Sequence, residues 1–390
     1  MKLMKIALVI TILPVLAVLL CSSCIYTSNV VFPTDRKALY CFYDEENNTS
    51  YLYSIDIHKR QAELETKFDC PIFAIALSED KKTLFYYELL ETADTDGEED
   101  KADDFLSLNM LAVADLSDTS NAKPICSFQI DSEGGIEYGS TFGAAKIVPL
   151  TEKGTAFVVY IVEENLIVLS KVDLEKGKAE TIDQGVILYP KLSSNGKYLG
   201  YIKAEKEKSD EQGVDEEDKE EGFLCVVVVM EIDTMKKVEM KDIGRWEMPP
   251  QFAFSPVRGD EYKVLYPELD LTSNAHAPKG VSFEGHFLKS LEYIAGRNCL
   301  AIYSPEDESD KNLVEVTDLD GNIKETFDRG EFIPLAWSPN DRYFFLGKDN
   351  YLAQYIVARR IFALYEFVPP SEESEDPEIR STLVRKVPDE

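Results

Sequence analysis

A short unit that recurs along nearly the whole chain restricts its possible folds more than any other feature. Each copy reads as an apolar stretch, a polar turn, an aromatic-rich strand, and a second apolar strand ending near Asp. The clearest copies are Phe73–Tyr87, Lys191–Tyr201 and Leu335–Leu346, and a fourth runs from Phe252 to Tyr266. Weaker copies start at Val30, Ile147 and Tyr293. The polar turns fall near Asp35, Asp80, Lys153, Gly196, Gly259, Arg297 and Asp341. Most intervals are close to about 40–45 residues, the length of four short strands with their turns.

The second half of the unit repeats as well. Leu52–Asp56, Leu111–Asp115, Leu169–Asp173, Met230–Asp233 and Val314–Asp318 are short, alternating, β-branched runs, the pattern of half-buried strands. No stretch of comparable quality has helical periodicity. Pro presets φ at the first turn position, and Asn, Asp and Gly tolerate the left-handed position after it. That chemistry accounts for the wording Ser338-Pro339-Asn340-Asp341 and Ser194-Asn195-Gly196.

The same wording resembles the TolB-like and PD40 (WD40-like) repeats, whose consensus runs approximately Ser-Pro-Asp-Gly-Lys before an apolar strand. The resemblance covers nearly all of residues 29–367 and implies an all-β fold, a β-propeller of four-stranded blades. Seven turns favour seven blades. Six is the alternative, because Pro267 to Ser290 offers no clean outer hairpin. Tyr351–Val357 and Arg360–Phe367 supply outer strands to the last unit, which leaves open whether the ring closes by strand exchange.

The N-terminus carries an address. Lys2 and Lys5 precede an apolar run from Ile6 to Leu20, the order of a secretory signal. At that length, with Pro14 inside it, the run is short of the roughly 20 residues a membrane-spanning helix needs. Leu20-Cys21-Ser22-Ser23-Cys24 resembles the lipobox of bacterial lipoproteins, with the small Ser23 ahead of Cys24 as the lipidation site. Cys21 departs from the usual Leu of that motif. Ile25, rather than Asp, after the cysteine implies by the same resemblance the periplasmic side of the outer membrane. The chain thus divides into a signal peptide at 1–23, a tether at 24–28, a propeller at 29–367 and an acidic disordered tail at 368–390.

Charge limits the partners. The formal net charge is −31, and removing Lys2 and Lys5 with the signal makes it −33. Nucleic acid is therefore not expected as a partner, because it needs a basic patch. Membrane contact is expected through the lipid anchor alone. In blades of four antiparallel strands the link after the second strand always leaves by one face. There the chain inserts Glu91–Asp104, with eight acids and one base, and Glu205–Glu221, with ten acids and three bases. Asp44-Glu45-Glu46 and Glu306–Asp310 add to them. Such a face suits an envelope protein or peptide, a basic one included, although solvated acidic loops of this kind also occur without a ligand. Asp94–Asp100 only faintly resembles a calcium loop, lacking its spacing and closing Glu.

The motifs of catalysis do not appear. The three histidines, His58, His276 and His286, have no zinc-site spacing. There is no Gly-x-Ser-x-Gly elbow and no phosphate-cradling glycine loop. Beyond Cys24 the five cysteines are scattered and mostly sit in apolar runs, as small buried hydrophobes do; a Cys41–Cys70 pair is left open. Trp246, ahead of Pro249-Pro250, is placed in a loop, as the lid of a blade edge or as a ligand platform. No catalytic residue, cofactor or metal ligand is assigned. The leading expectation is a membrane-anchored envelope propeller that binds protein or peptide without catalysis. The alternatives are a glycan-active enzyme with carboxylates at the channel mouth, and a purely structural envelope lipoprotein.

Overall fold

The computed structural model describes residues 29–387 apart from internal segments, the longest being 93–104, 132–144, 207–222, 279–289 and 304–312. The described chain is all-β, with one 3-10 turn at Thr151–Lys153. Strands β1 (Val30–Thr34), β2 (Lys37–Asp44), β3 (Thr49–Asp56) and β4 (Gln61–Phe68) pair antiparallel in chain order. So do β5 (Ile72–Leu77), β6 (Leu84–Thr92), β7 (Phe105–Val113) and β8 (Lys123–Asp131). The apolar runs ending near Asp are the third strands of their sheets.

A seven-stranded sheet follows: β9 (Lys146–Leu150), β10 (Thr155–Glu163), β11 (Leu166–Asp173), β12 (Lys178–Leu192), β13 (Tyr198–Lys206), β14 (Phe223–Glu231) and β15 (Lys236–Trp246). Its 15-residue β12 is the outer strand on β11 and then the first strand on β13. It bends at Gly185 (φ 126°) and Tyr189 (φ 54°). Next come two separate hairpins, β16 (Ala253–Pro256) with β17 (Tyr262–Leu265), and β18 (Pro267–Asp270) with β19 (Ala275–Pro278). The second is the outer hairpin the sequence does not announce. Its strands are four residues long and bounded by Pro267 and Pro278, which cannot donate to a ladder. Strands β20 (Ser290–Ile294), β21 (Cys299–Tyr303), β22 (Leu313–Asp318) and β23 (Ile323–Asp328) form a four-stranded sheet.

The last sheet holds five strands, β24 (Ile333–Trp337), β25 (Tyr343–Lys348), β26 (Tyr351–Ile356), β27 (Ile361–Val368) and β28 (Glu378–Val384). Strand β28 corrects the expectation of a disordered tail at 368–390. It pairs with β27 in unbroken register from Phe362↔Val384 to Val368↔Glu378. Beyond it Val387 is 1% exposed against the core. The acids of the tail concentrate at 372–376, outside the described residues, whereas Ile379, Leu383 and Val387 supply the apolar positions of a strand and its anchor.

A regular register on its fourth strand sets this sheet apart from the four-stranded sheets. In five strands that pair outside a third strand, the ladder carries extra residues: Glu65 in β4, Ile125 in β8, Ile182 in β12, Val238 and Ile243 in β15, and Lys324 in β23. Bulges increase twist and spoil an edge for further pairing. Strand β27 pairs with β26 without any shift, so its outer edge is regular, and β28 covers it.

The turn between first and second strands is built from one bonding pattern. In Ser338–Tyr343 the Ser338 hydroxyl donates to Asn340 Oδ1 (2.8 Å) and accepts the Tyr343 N–H (3.1 Å). Ser193 does the same with Asn195 (2.7 Å) and Tyr198 (3.0 Å), and Ser78 with Asp80 (2.6 Å) and Thr83 (3.0 Å). All three serines are buried, and the fourth turn residue is left-handed each time: Lys81 (φ 60°), Gly196 (φ 64°) and Asp341 (φ 53°).

Successive sheets pack face to face. Leu39, Cys41 and Leu52 meet Ile72, Leu84 and Tyr86, and Phe85, Tyr87 and Leu108 meet Ala156, Val158 and Tyr160. Phe252 and Phe254 pack on β13, where Gly200 leaves room that a Cβ would fill at 2.8 Å from both rings. Strand β16 touches β20, and Ile294, Val314 and Phe327 meet Trp337 and Phe344. The last sheet then packs on the first. Phe367 lies among Tyr53 (4.5 Å between centroids), Tyr40 (5.1 Å) and Phe42 (6.1 Å), and Phe32 meets Phe345 (5.6 Å). Among the described residues no strand is exchanged between these two sheets.

Ser338→Ala removes a buried hydroxyl that ties both ends of its turn. It is expected to cost about 1–3 kcal/mol, read as a lower denaturation midpoint at unchanged denaturant dependence, while Ser338→Thr, which keeps the hydroxyl, recovers much of the loss.

Candidate functional site

The seam between last and first sheets carries the most built surface feature among the described residues. Under it lies a buried polar relay. Tyr365 Oη donates to Gln354 Oε1 (2.7 Å), and Gln354 Nε2 donates to the Ile57 carbonyl (3.1 Å), 297 positions earlier in the chain. Gln354 and Tyr365 have no solvent exposure. Burial pushes the Tyr365 phenol well above its ordinary range, and the nearby Arg60 opposes that shift.

Above the relay opens a cleft of ≈ 530 Å³. The turn after β3 gives it Ile57, His58 and Arg60, the turn after β24 gives Asp341, Arg342 and Tyr343, and the turn after β26 gives Ile356–Arg359. Hydrogen bonds fix these turns. Asp56 Oδ1 accepts the N–H groups of His58 (3.1 Å) and Lys59 (2.9 Å), and Arg60 N–H reaches the Asp56 carbonyl (2.7 Å). Arg360 N–H reaches the Ile356 carbonyl (2.9 Å), and Val357 N–H that of Arg342 (3.2 Å). His58 stands edge-on to Tyr343 at 5.9 Å, the two rings belonging to different sheets.

The described histidines and cysteines do not converge on this cleft. His58 alone reaches it, from an exposed hairpin turn. Cys24 lies outside the described residues, as do His286 and the Asp94–Asp100 segment. His276 lies in β19 opposite Leu269. Trp246 ends β15 opposite Phe223, rather than standing in a loop. Cys41, Cys70, Cys126 and Cys225 are free thiols, so Cys41 and Cys70 do not pair, though both sit in one apolar cluster. Burial pushes all four thiols up to about 12, which keeps them protonated and unreactive.

The acid-rich insertions 93–104, 207–222 and 304–312 also lie outside the described residues, but their anchor points do not. They join β6 to β7, β13 to β14 and β21 to β22, and in the first sheet Asp44 leads from β2 towards β3. Every one is a link from second to third strand. Asp44 is buried and accepts from Asn47 Nδ2 (2.7 Å), so it serves its own turn.

No family model and no curated protein matches the chain. Similar solved structures exist at low identity. TolB from Acinetobacter baumannii is 14% identical, with a TM-score of 0.43 over 92% of this chain and 68% of that one. A prolyl endopeptidase is 12% identical, with a TM-score of 0.49 over 93% of this chain, which spans about half (51%) of that one. An oligogalacturonate lyase from Vibrio parahaemolyticus is 14% identical, with a TM-score of 0.47 over 83% of this chain and 86% of that one. With TM-scores below 0.5, no ligand, partner or chemistry passes from these proteins to this chain.

A second polar cluster, which no sequence pattern signals, joins the two halves of the seven-stranded sheet. Asp183, on the outer half of β12, accepts from Lys203 Nζ (2.7 Å), Lys237 Nζ (2.7 Å) and Tyr201 Oη (2.8 Å). Its side chain is only 8% exposed. Burial alone raises its pKa, but the three donors outweigh that and hold it well below the usual carboxylate range. With every acceptor engaged the cluster acts as a tie between β12 and the strands beyond it. A carboxyl depressed on folding contributes stability above its unfolded value near 4 and loses it as pH falls towards the folded value. The stability difference between wild type and Asp183→Asn is therefore expected to be constant above about pH 5 and to shrink below about pH 4, measured by denaturant titration at stepped pH.

Proposed function

We propose that the chain is an envelope-tethered β-propeller of seven blades that serves as a non-enzymatic binding module for a protein or peptide partner. The cyclic order of packing, from the first sheet round to β24–β28 and back to β1, supports the ring. In that reading β9–β12 and β12–β15 are two blades sharing a strand, and the hairpins β16–β17 and β18–β19 together make one. The secretory pattern and Cys24 support export and lipid anchoring at the periplasmic side of the outer membrane, with several acyl chains giving a stable hold.

The observation that carries the binding reading is the placement of acid. Residues 93–104, 207–222 and 304–312 hold twenty acids against four bases, and each segment joins second to third strand. Blades of common orientation put these links on one face. The result is a concentrated negative field on a rigid disc, suited to steering and holding a basic segment of a partner. The glycan-active alternative needs two carboxylates facing one cleft; among the described residues the seam cleft has one, Asp341.

Two measurements test the reading. The full chain, solubilised from membranes in mild detergent, is expected to capture a specific envelope protein at low ionic strength and release it as salt rises through the range where the screening length falls below about 8 Å. Neutralising the nine acids of 207–222 to Asn and Gln should abolish capture. Capture that survives neutralisation, or none at low salt, overturns the acidic face as a docking surface. Cys24→Ala should move the chain from the membrane to the soluble fraction; a variant that stays membrane-bound overturns the anchor.

A further inference from the structure

We propose that the seam cleft binds a small multivalent anion, bearing phosphate or carboxylate groups, which ties the last sheet to the first. The inference is independent of the acidic face. The cleft is built from turns between first and second and between third and fourth strands, so it lies at the opposite strand ends from the acid-rich links.

Charge marks the cleft out. In a chain of net charge −31, Arg60, Arg342 and Arg359 line one cleft with a single acid, Asp341. Several bases in the corresponding turns of other sheets have acid partners, Lys176 with Asp173 (2.9 Å), Lys153 with Asp233 (2.6 Å) and Lys82 with Asp80 (4.0 Å), while Lys81 has none among the described residues. Lys59, next to Arg60, pairs with Asp56 (3.3 Å). The three cleft arginines form no ion pair among the described residues. Acid is abundant in this sequence, yet it is not placed here.

Like charges brought together from two sheets repel, and the seam bears that repulsion where side-chain packing and the Gln354–Ile57 hydrogen bond join the sheets. An anion in the cleft reverses the sign of the effect. Guanidinium groups present planar forks that match carboxylate and phosphate oxygens in pairs. Arg60 comes from the first sheet, Arg342 and Arg359 from the last, so one ligand bridges both. The His58 and Tyr343 rings, also one from each sheet and nearly perpendicular to each other, border it. A cleft of ≈ 530 Å³ is of the size that small ligands occupy. Any ligand that binds across the seam stabilises the folded chain by mass action.

The test uses the full chain in low-salt buffer, with pyrophosphate and citrate as probes and ionic strength matched by sodium chloride. Wild type is expected to show a saturable rise in Tm with at least one probe and a 1:1 calorimetric isotherm. The double variant Arg342→Ala/Arg359→Ala changes two exposed side chains. It should lose at least tenfold in affinity, while its Tm without anion equals or exceeds that of wild type. Arg359→Lys should retain part of the binding. Response to pyrophosphate alone identifies a phosphate ligand, and response to citrate alone a carboxylate ligand. No saturable response to either probe, or an equal response in the double variant, overturns the proposal. Failure here leaves the docking of a basic partner on the other face unaffected, because no residue of that face is altered.

Discussion

The contact between last and first sheets is the constraint on which the rest of this architecture depends. Each sheet along the chain is followed by a neighbour after no more than 14 intervening residues, so its packing costs little loop-closure entropy beside the seam. The seam joins residues almost 300 positions apart, such as Gln354 and Ile57, and carries no shared strand among the described residues. Its cohesion is the aromatic group around Phe367, with Tyr40, Phe42 and Tyr53, and the one relay through Gln354. Aromatic pairs of this geometry contribute about 0.5–1.5 kcal/mol each beyond their burial. The relay adds specificity, since misregistered sheets would strand a buried amide and phenol without partners, at about 1–3 kcal/mol per group. A seam held this way is the place where small changes in charge have the greatest leverage on the whole.

The outer strands solve a different problem. Sheets arranged side by side leave an open edge on each fourth strand, a template for unwanted pairing. A single extra residue, Glu65 in β4 or Lys324 in β23, twists the edge and breaks its ladder. Strand β27 lacks this device and is instead paired by β28. The tail is thus part of the fold, and the last sheet, which already supplies one side of the seam, is the one reinforced.

Much of this was legible in the sequence, and the reasons are local. The Ser-x-Asn/Asp turns and the apolar runs ending in Asp mark hairpins because their side chains bond to backbone within five residues. Third strands such as β3 and β11 coincide with the runs read from alternation. Illegible features depend on distant partners. The continuity of β12 requires Gly185 and Tyr189 to bend a strand without ending it, and no composition signals that. The acidic character of residues 372–376 hid the short strand behind them, whose Ile379, Ser381 and Leu383 alternate weakly. The seam cleft was invisible because Arg60 and Arg359 are far apart in sequence and ordinary as turn residues. The one available signal was their scarcity: arginines in hairpin turns of so acidic a chain.

Acid itself is used in two ways, and the distinction bears on function. Acids in the turns are engaged by the chain. Asp56, Asp80, Asp173 and Asp318 each accept backbone N–H groups and each pair with a nearby lysine. These bonds hold their carboxyls below the ordinary range, and for Asp56 the backbone bond from Lys59 is the largest cause. Such acids stabilise turns and are neutralised where they stand. The acids of 93–104, 207–222 and 304–312 cannot be explained that way by sequence, because four bases are too few to match twenty acids. Folding alone gains nothing from that excess, since self-repulsion of a net charge this large opposes compactness. Its segregation to one kind of link, away from the turns that build the seam cleft, keeps the cost off the sheets. It also separates the acid-rich links from the turns at the other strand ends, where acids and bases stand in pairs.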